Sequence, residues 1–321
     1  MNNMKGEINQ KNINKTVLVT GGAGFIGSNT VRLLCDRGYK VIVFDNLSTG
    51  YRHFVDNRAQ FIKGDLRNSK EINKALKEVD YVFHFAATSI IKLSLEDPVG
   101  CYTNNIIGAI NLLEGMRKNK VQHLVNSSSA AVYGESKKGL IGEDSVKKPL
   151  QPYGSSKLAI EAILSSYYYA YGINSSSLRY FNVFGPFDEQ QPVTRAVPNW
   201  IKAILENEPI LLYWKGNQLR DYIFVEDVAL AHLAVMKLKG FNYFNIGSGK
   251  GILMIDLLES IFKAIGKKTE VVDLGERPGD PMHLVADTSK INDTVGWTVK
   301  FSLHEGLNKT IDYYRSKFNN K

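Results

Sequence analysis

Two apolar runs separated by a knot of glycines restrict what the start of this chain can fold into. Val17–Val19 stops at Gly21-Gly22-Ala23-Gly24-Phe25-Ile26-Gly27, an amphipathic pattern follows from Phe25 to Arg37, and a second run, Val41–Phe44, ends on Asp45. Strand, tight turn, helix, strand is the order of one βαβ unit. Gly22, Gly24 and Gly27 fit G-x-G-x-x-G, while Gly21, Gly24 and Gly27 fit the wider G-x-x-G-x-x-G. Without Cβ atoms the chain can turn sharply, a pyrophosphate can approach the backbone, and the helix can pack close to the strand. Glycine collects in turns for many reasons. The strand before, the helix after and the carboxylate closing the next strand turn this one into an expected dinucleotide site. Asp45 is placed to accept hydrogen bonds from the adenosine ribose hydroxyls and repels a 2′-phosphate, so NAD is expected over NADP.

The alternation continues. Ala59–Lys63, Tyr81–His84, His123–Asn126 and Ser175–Tyr180 read as strands, and Ser69–Lys77, Pro98–Arg117 and Tyr153–Tyr171 as helices. Ile106, Ile107, Ile110, Leu112 and Leu113 are the expected core contacts of the long middle helix. This spacing predicts an α/β fold, a Rossmann-like doubly wound parallel sheet covered on both faces. From Asn182 the rhythm changes, with Pro186, Pro192, Pro198 and Pro209 breaking the chain. The expected division is an NAD-binding domain over 1–181, with about 221–247 returning to it, and a smaller C-terminal α/β substrate-binding lobe over 182–321. Met254–Ile265 and Leu303–Phe318 read as amphipathic helices of that lobe.

Composition narrows the class. At 44% hydrophobic and 22% charged residues the chain has the make-up of a packed globular protein. Cys35 and Cys101 are its two cysteines and both fall in helical patterns, which points to reduced thiols in a cytosolic setting. The Asn-, Lys- and Gln-rich first residues hold no signal-peptide core and no run reaches membrane-spanning length, so a cytoplasmic protein without membrane contact is expected. The net charge of +8 raises nucleic acid as a partner, but the lysines are scattered and no arginine strip is interleaved with aromatics. A basic surface that attracts anionic small substrates is the better reading, with no nucleic acid and no metal expected.

A nicotinamide enzyme acting on an alcohol needs a base for the hydroxyl proton. Tyrosine, with an ordinary pKa of about 10, must be acidified by about three units, which takes roughly 4 kcal/mol. A cation about 4 Å away at an effective dielectric near 20 contributes about that much, and a lysine four residues on lies on the same helix face. Tyr-x-x-x-Lys occurs three times: Tyr133/Lys137, Tyr153/Lys157 and Tyr313/Lys317. Tyr133 runs into Gly134 and a Lys-Lys-Gly loop, and Tyr313 lies in a charged C-terminal helix where an exposed face is expected. Tyr153 opens a helix behind Pro152, just after a strand that ends in hydroxyls. The chemistry is therefore assigned to Tyr153 and Lys157.

Eight segments then occur in order: Gly21–Gly27, Asp45, HFAA at His84–Ala87, SSSAAVYG at Ser127–Gly134, YGSSK at Tyr153–Lys157, RYFNVFGP at Arg179–Pro186, RDYIFVEDV at Arg220–Val228 and RPGDP at Arg277–Pro281. Together they resemble the extended short-chain dehydrogenase/reductases, and among these the nucleotide-sugar epimerases, over nearly the whole chain. The resemblance implies that Gly21, Gly24, Phe25, Ile26 and Gly27 hold the NAD pyrophosphate, that Asp45, Asn46 and Ser48 hold the adenosine ribose, and that Asp65 and Leu66 flank the adenine. It implies that Phe85, Ala86, Ala87 and Asn104 line the cofactor further along, with Ser127, Tyr153, Lys157 and Tyr180 near the nicotinamide ribose. Ser129 is implied as the hydroxyl bridging sugar and Tyr153, Asn182, Arg220 and Arg277 as the grip on the nucleotide diphosphate, and Asp280 as the contact to its ribose. Arginine forks suit that task, because they match phosphate oxygens and stay charged.

The implied reaction is epimerisation at C4 of a UDP-sugar, UDP-glucose/UDP-galactose foremost, through a transient 4-keto sugar and with NAD retained. Dehydratases and decarboxylases of the family carry acidic residues after the shuttle hydroxyl, whereas Ala130 and Ala131 follow Ser129 here. Three positions depart from, or vary within, the family pattern: Trp214 stands where relatives tend to have glycine, Ser89 replaces a lysine, and Leu284 aligns with a residue that gates N-acetylated sugars. UDP-GlcNAc or UDP-glucuronate is thus an alternative substrate. A non-catalytic NAD-binding protein is disfavoured, since it has no physical reason to keep Ser129, Tyr153 and Lys157 together. Relatives are commonly homodimers joined through two long helices, here Pro98–Arg117 and Tyr153–Tyr171.

Overall fold

A computed structural model describes residues 14–135, 139–189, 195–276 and 281–318. Among these residues the strands are, in chain order, β1 (Thr16–Thr20), β2 (Lys40–Asp45), β3 (Gln60–Lys63), β4 (Tyr81–His84), β5 (His123–Ser129), β6 (Asn174–Tyr180), β7 (Asn182–Phe184), β8 (Ile210–Leu212), β9 (Leu219–Phe224), β10 (Phe241–Ile246), β11 (Gly251–Leu253), β12 (Val271–Asp273) and β13 (His283–Leu284). The α-helices are α1 (Phe25–Asp36), α2 (Ser69–Ala75), α3 (Ile91–Glu96), α4 (Pro98–Tyr102), α5 (Gly108–Asn119), α6 (Pro152–Tyr171), α7 (Ala196–Glu206), α8 (Val225–Val235), α9 (Met254–Ile265), α10 (Ser289–Val295) and α11 (Leu303–Phe318).

Seven strands form one sheet in the order β10-β6-β5-β4-β1-β2-β3, and every pairing in it is parallel. Both faces are covered, and the period-2 alternation along β1 explains how. Val17 and Val19 pack with Val31 and Leu34 of α1 and with Val228, Ala231 and Val235 of α8. Leu18 faces the other way, into a cluster with Leu112, Leu113 and Met116 of α5 and Ile160 and Leu164 of α6. The strand order reverses between β1 and β4, which opens a crevice at the carboxyl ends of the strands.

A four-stranded sheet, β11-β9-β13 with β7 beside β9, and a two-stranded sheet, β12-β8, make up the smaller part. Its core joins Phe184 and Phe224 to Trp200, Ile201 and Ile204 of α7, Leu257 and Ile261 of α9, and Leu307 and Ile311 of α11. The return to the large sheet expected from about 221 begins later. β9 belongs to the small sheet, where it pairs with β7 and β11, while β10 joins the large sheet and α8 packs on it, with Ile223 of β9 in the same cluster.

Two local expectations are corrected. β5 does not stop at Asn126: Ser127, Ser128 and Ser129 stay in the strand, paired with Leu178, Arg179 and Tyr180 of β6. Poor intrinsic strand formers are held there by pairing on a buried strand. The long middle helix is also not uniform, because Thr103–Ile107 forms a π-helical turn between α4 and α5. Its extra residue shifts the buried stripe, so Ile107 is 46% exposed and Gly108 and Ala109 take the inward positions.

Candidate active site

The glycine turn departs from β1 with Gly21 at φ +71°, where an added Cβ would lie 2.5 Å from the Ala86 nitrogen. A Cβ on Gly27 would lie 2.2 Å from the Gly21 carbonyl oxygen, so helix and turn touch at backbone distance. α1 then starts behind Gly24 with no side-chain cap and no acidic residue in its first turn. Its free N–H groups and positive dipole end face the cleft as an uncapped anion cradle. At the end of β2, Asp45 accepts the Ala23 N–H at 3.0 Å and the Leu47 N–H at 2.8 Å. Burial pushes its carboxyl upward while these two N–H donors pull it back. These features fit a dinucleotide: a turn too tight for side chains, an unused helix N-terminus and a buried acceptor at ribose distance along the chain.

The cleft measures about 830 Å³ and runs along the carboxyl ends of β1, β2, β4, β5 and β6. Of the residues expected to hold cofactor, the structure brings Gly21, Gly24, Phe25, Ile26, Gly27, Asp45, Asn46, Ser48, Leu66, Phe85, Ala86, Ala87, Asn104, Ser127, Tyr153, Lys157 and Tyr180 to its walls. Asp65 is the exception. Its carboxylate is forked onto Arg67 at 2.9 and 2.6 Å and accepts Asn46 Nδ2 at 3.1 Å, so it stands behind Asn46 and outside the cleft lining. The opposite wall carries Asn182, Arg220, Pro281 and Leu284. Among the described residues the buried Nδ2 of Asn182 has no hydrogen-bond partner, a donor left for an acceptor that enters the cleft. Arg277 and Asp280 lie outside the described residues.

α6 begins at Pro152, whose missing N–H costs nothing at a helix start, and ends at Gly172 with φ +71°. This places Tyr153 and Lys157 one turn apart beside the end of β5. The Lys157 ammonium is buried and donates to the Ser127 carbonyl at 2.7 Å. Its nitrogen is 5.9 Å from the centre of the Tyr153 ring. The Tyr153 phenol is hydrogen-bonded to the Ser129 hydroxyl. Tyr180 closes the floor: His232 Nδ1 meets the Val228 carbonyl at 2.8 Å and so carries the proton, which leaves Nε2 to accept the Tyr180 hydroxyl at 2.8 Å.

The protein's own groups act on this pair chiefly through burial. Burial raises the Tyr153 pKa, against the lowering effect of the Ser129 hydrogen bond and of the Arg195 charge. Burial also pulls Lys157 down to about 8. The protein by itself desolvates both groups more than it stabilises their charged forms. Buried His84 is driven down to about 3, by burial first and then by Lys157, so it is a neutral neighbour of that cation.

The other two tyrosine–lysine pairs serve structure. Tyr133 is buried, accepts Arg179 Nη1 at 2.8 Å and donates to Asn245 Oδ1 at 2.7 Å; Lys137 lies outside the described residues. Tyr313 is not on an exposed face as expected: it is half-buried, donates to Glu189 at 2.5 Å, and Lys317 pairs with the same carboxylate. Trp214 stays off the cleft lining. It opens three consecutive residues at positive φ (Trp214 +54°, Lys215 +51°, Gly216 +77°), the backbone reason a glycine suits its position. Arg195 is a cleft cation that sequence reading passed over. It pairs with buried Asp188 at 3.1 Å and lies over the Phe25 ring, and neither contact follows a recognisable spacing.

The parallel sheet, the side-chain-free turn and the clustered Ser129, Tyr153 and Lys157 at the cleft are the features of a nicotinamide-dependent enzyme fold. Residues 17–247 match the NAD dependent epimerase/dehydratase family, and the chain belongs to it. It is 38% identical to a UDP-glucose 4-epimerase of Lactobacillus helveticus over 314 residues, 92% of this chain and 94% of that protein. Its fold superimposes with a TM-score of 0.91 on the UDP-glucose 4-epimerase of Thermotoga maritima solved with UDP-glucose, at 34% identity, over 94% of this chain and 99% of that one. The UDP-N-acetylglucosamine 4-epimerase of Methanobrevibacter ruminantium, solved in complex with UDP-N-acetylmuramic acid, gives a TM-score of 0.90 at 36% identity over the same shares of the two chains.

Proposed function

We propose that this chain is an NAD-dependent UDP-hexose 4-epimerase that interconverts UDP-glucose and UDP-galactose. The observation that carries the reading is the convergence of Ser129, Tyr153 and Lys157 on the cleft that the glycine turn opens. NAD held along Gly21, Gly24, Gly27 and Asp45 would supply reversible hydride-transfer chemistry at C4. The Tyr153 oxygen takes the C4 hydroxyl proton through Ser129 and returns it to the same oxygen after the ring has turned over. Lys157, fixed on the Ser127 carbonyl, keeps a positive charge beside the phenol during that transfer. Asn182 and Arg220, joined by Arg277 and Asp280, hold the nucleotide while the 4-keto hexose rotates. Ala130 and Ala131 line the cleft beside Ser129 and bring no acid for elimination or decarboxylation.

A second substrate has support from Leu284, a mid-sized side chain in the cleft wall. UDP-GlcNAc is therefore the second reading. Denaturing the purified protein and assaying released NAD, then offering the native enzyme UDP-glucose, UDP-galactose, UDP-GlcNAc and UDP-glucuronate, tests both. Release of NAD with turnover of UDP-glucose is expected; absence of cofactor and of any sugar interconversion overturns the proposal.

We infer a homodimer and a cytoplasmic site of action. The pairing expected through α4–α5 and α6 is the reading's basis, and Val99 of α4 and Tyr169 of α6 are exposed. Both cysteines are free, and among the described residues no helix is long and apolar enough to cross a membrane. Light scattering on the eluting protein should give twice the chain mass.

A further inference from the structure

Arg179 and Glu161 form a buried ion pair, 2% and 4% exposed, that no step above uses. The fork is complete: Nη2 to Oε2 at 2.7 Å and Nε to Oε1 at 3.0 Å. The remaining Nη1 donates to the Tyr133 hydroxyl and to the Glu143 carbonyl at 3.0 Å. Glu161 Oε1 also accepts the hydroxyl of fully buried Ser128 at 2.6 Å. Three hydrogen bonds thus join the end of β5, its neighbour β6 and the middle of α6. Such a pair is a poor source of stability, because well-packed apolar residues in its place are commonly neutral or better. Its position gives it another use. Ser128 lies between Ser127, whose carbonyl anchors Lys157, and Ser129, whose hydroxyl meets Tyr153. Glu161 lies one helical turn beyond Lys157 and two beyond Tyr153 on the same helix.

We propose that Glu161, Arg179 and Ser128 are positioning residues, which pin α6 to β5 in the one register where the Lys157–Ser127 and Tyr153–Ser129 contacts form together. This rests on the reading of Ser129, Tyr153 and Lys157 given above. A slip of about 1 Å between helix and strand costs on the order of a hundredfold in rate, and the two contacts would be lost before the fold is.

The test uses Ser128→Ala and the double variant Glu161→Leu/Arg179→Met, each as the full-length, cofactor-retaining protein. In both, kcat for UDP-glucose is expected to fall about tenfold or more with KM within about twofold, since the nucleotide-binding residues are elsewhere. The melting temperature of the double variant is expected to stay level or rise. Crystal structures of the variants should show Lys157 Nζ out of hydrogen-bond range of the Ser127 oxygen. A purely structural role predicts a lower melting temperature with kcat per folded molecule intact, and that result overturns the inference. If the double variant does not fold, Ser128→Ala, which removes one hydroxyl, decides alone. If the wild-type protein turns over no UDP-hexose, the functional proposal falls, and the crystal structures still decide this one: Lys157 unmoved at 2.7 Å overturns it.

Discussion

Lys157 Nζ is held at 2.7 Å from the Ser127 carbonyl and stands 5.9 Å from the centre of the Tyr153 ring. The cation is thus anchored to the strand, and the carboxylate one turn on, Glu161, is committed to Arg179. Burial holds it near 8, below the value of 10.5 it has when exposed. Between those values the unfolded chain binds a proton that the native one does not, so the contribution of this group to stability rises with pH across that window. Below about pH 8 the fold carries a desolvation penalty of roughly 3 kcal/mol, from which about 1 kcal/mol for the Ser127 bond is deducted. Lys157→Met is therefore expected to abolish turnover and to stabilise the ligand-free protein by about 2 kcal/mol at pH 7. Urea unfolding at pH 7 and pH 10 checks this: the gain should shrink at the higher pH, and a variant destabilised at pH 7 contradicts the account.

Tyr153→Phe removes the proton acceptor and little else. A loss of about 10³-fold or more in kcat is expected, with bound NAD retained. Tyr313→Phe, in a helix whose tyrosine is committed to Glu189, should keep kcat within about twofold and lower the melting temperature slightly. Parallel assays of the two variants separate the working tyrosine–lysine pair from the structural one.

Gly27→Ala places a methyl group 2.2 Å from the Gly21 oxygen, backbone against backbone, where nothing can rotate aside. The turn must open, and the purified variant should release little or no NAD on denaturation. Cofactor content equal to that of the wild type would show that the cradle lies elsewhere.

Arg195 is held by Asp188 and reaches the cleft over Phe25. An arginine there attracts an anionic ligand and lowers the Tyr153 pKa. Arg195→Ala should raise KM for UDP-glucose about tenfold and move the pH dependence of kcat to higher pH. A variant with wild-type KM and an unshifted profile removes Arg195 from the site.

The fold was largely legible because its signals are local. Val17–Val19, the glycine turn and Asp45 each lie within one window of sequence. What escaped reading depends on residues far apart in the chain. Ser127–Ser129 stay in a strand only because β6 pairs with them, and Ile107 turns outward only because a π turn precedes it. Arg195 carries no motif, and its place follows from a buried aspartate on a neighbouring loop. The burial of Tyr153 and Lys157 has the same origin: helix spacing reveals a nearby cation, and only packing reveals how far both groups are from water.

The π turn at Thr103–Ile107 has a consequence for how this segment can change over time. It lets two successive asparagines serve different neighbours: Asn104 donates to the Thr88 hydroxyl at 3.2 Å and lines the cleft, while Asn105 donates to Ser156 of α6 at 2.9 Å. Losing any one residue of this turn would restore an ordinary α-helix and rotate everything on its amino-terminal side by about 100°. Substitutions here can be absorbed one at a time, whereas a single-codon deletion would uncouple the cofactor wall from the catalytic helix in one step.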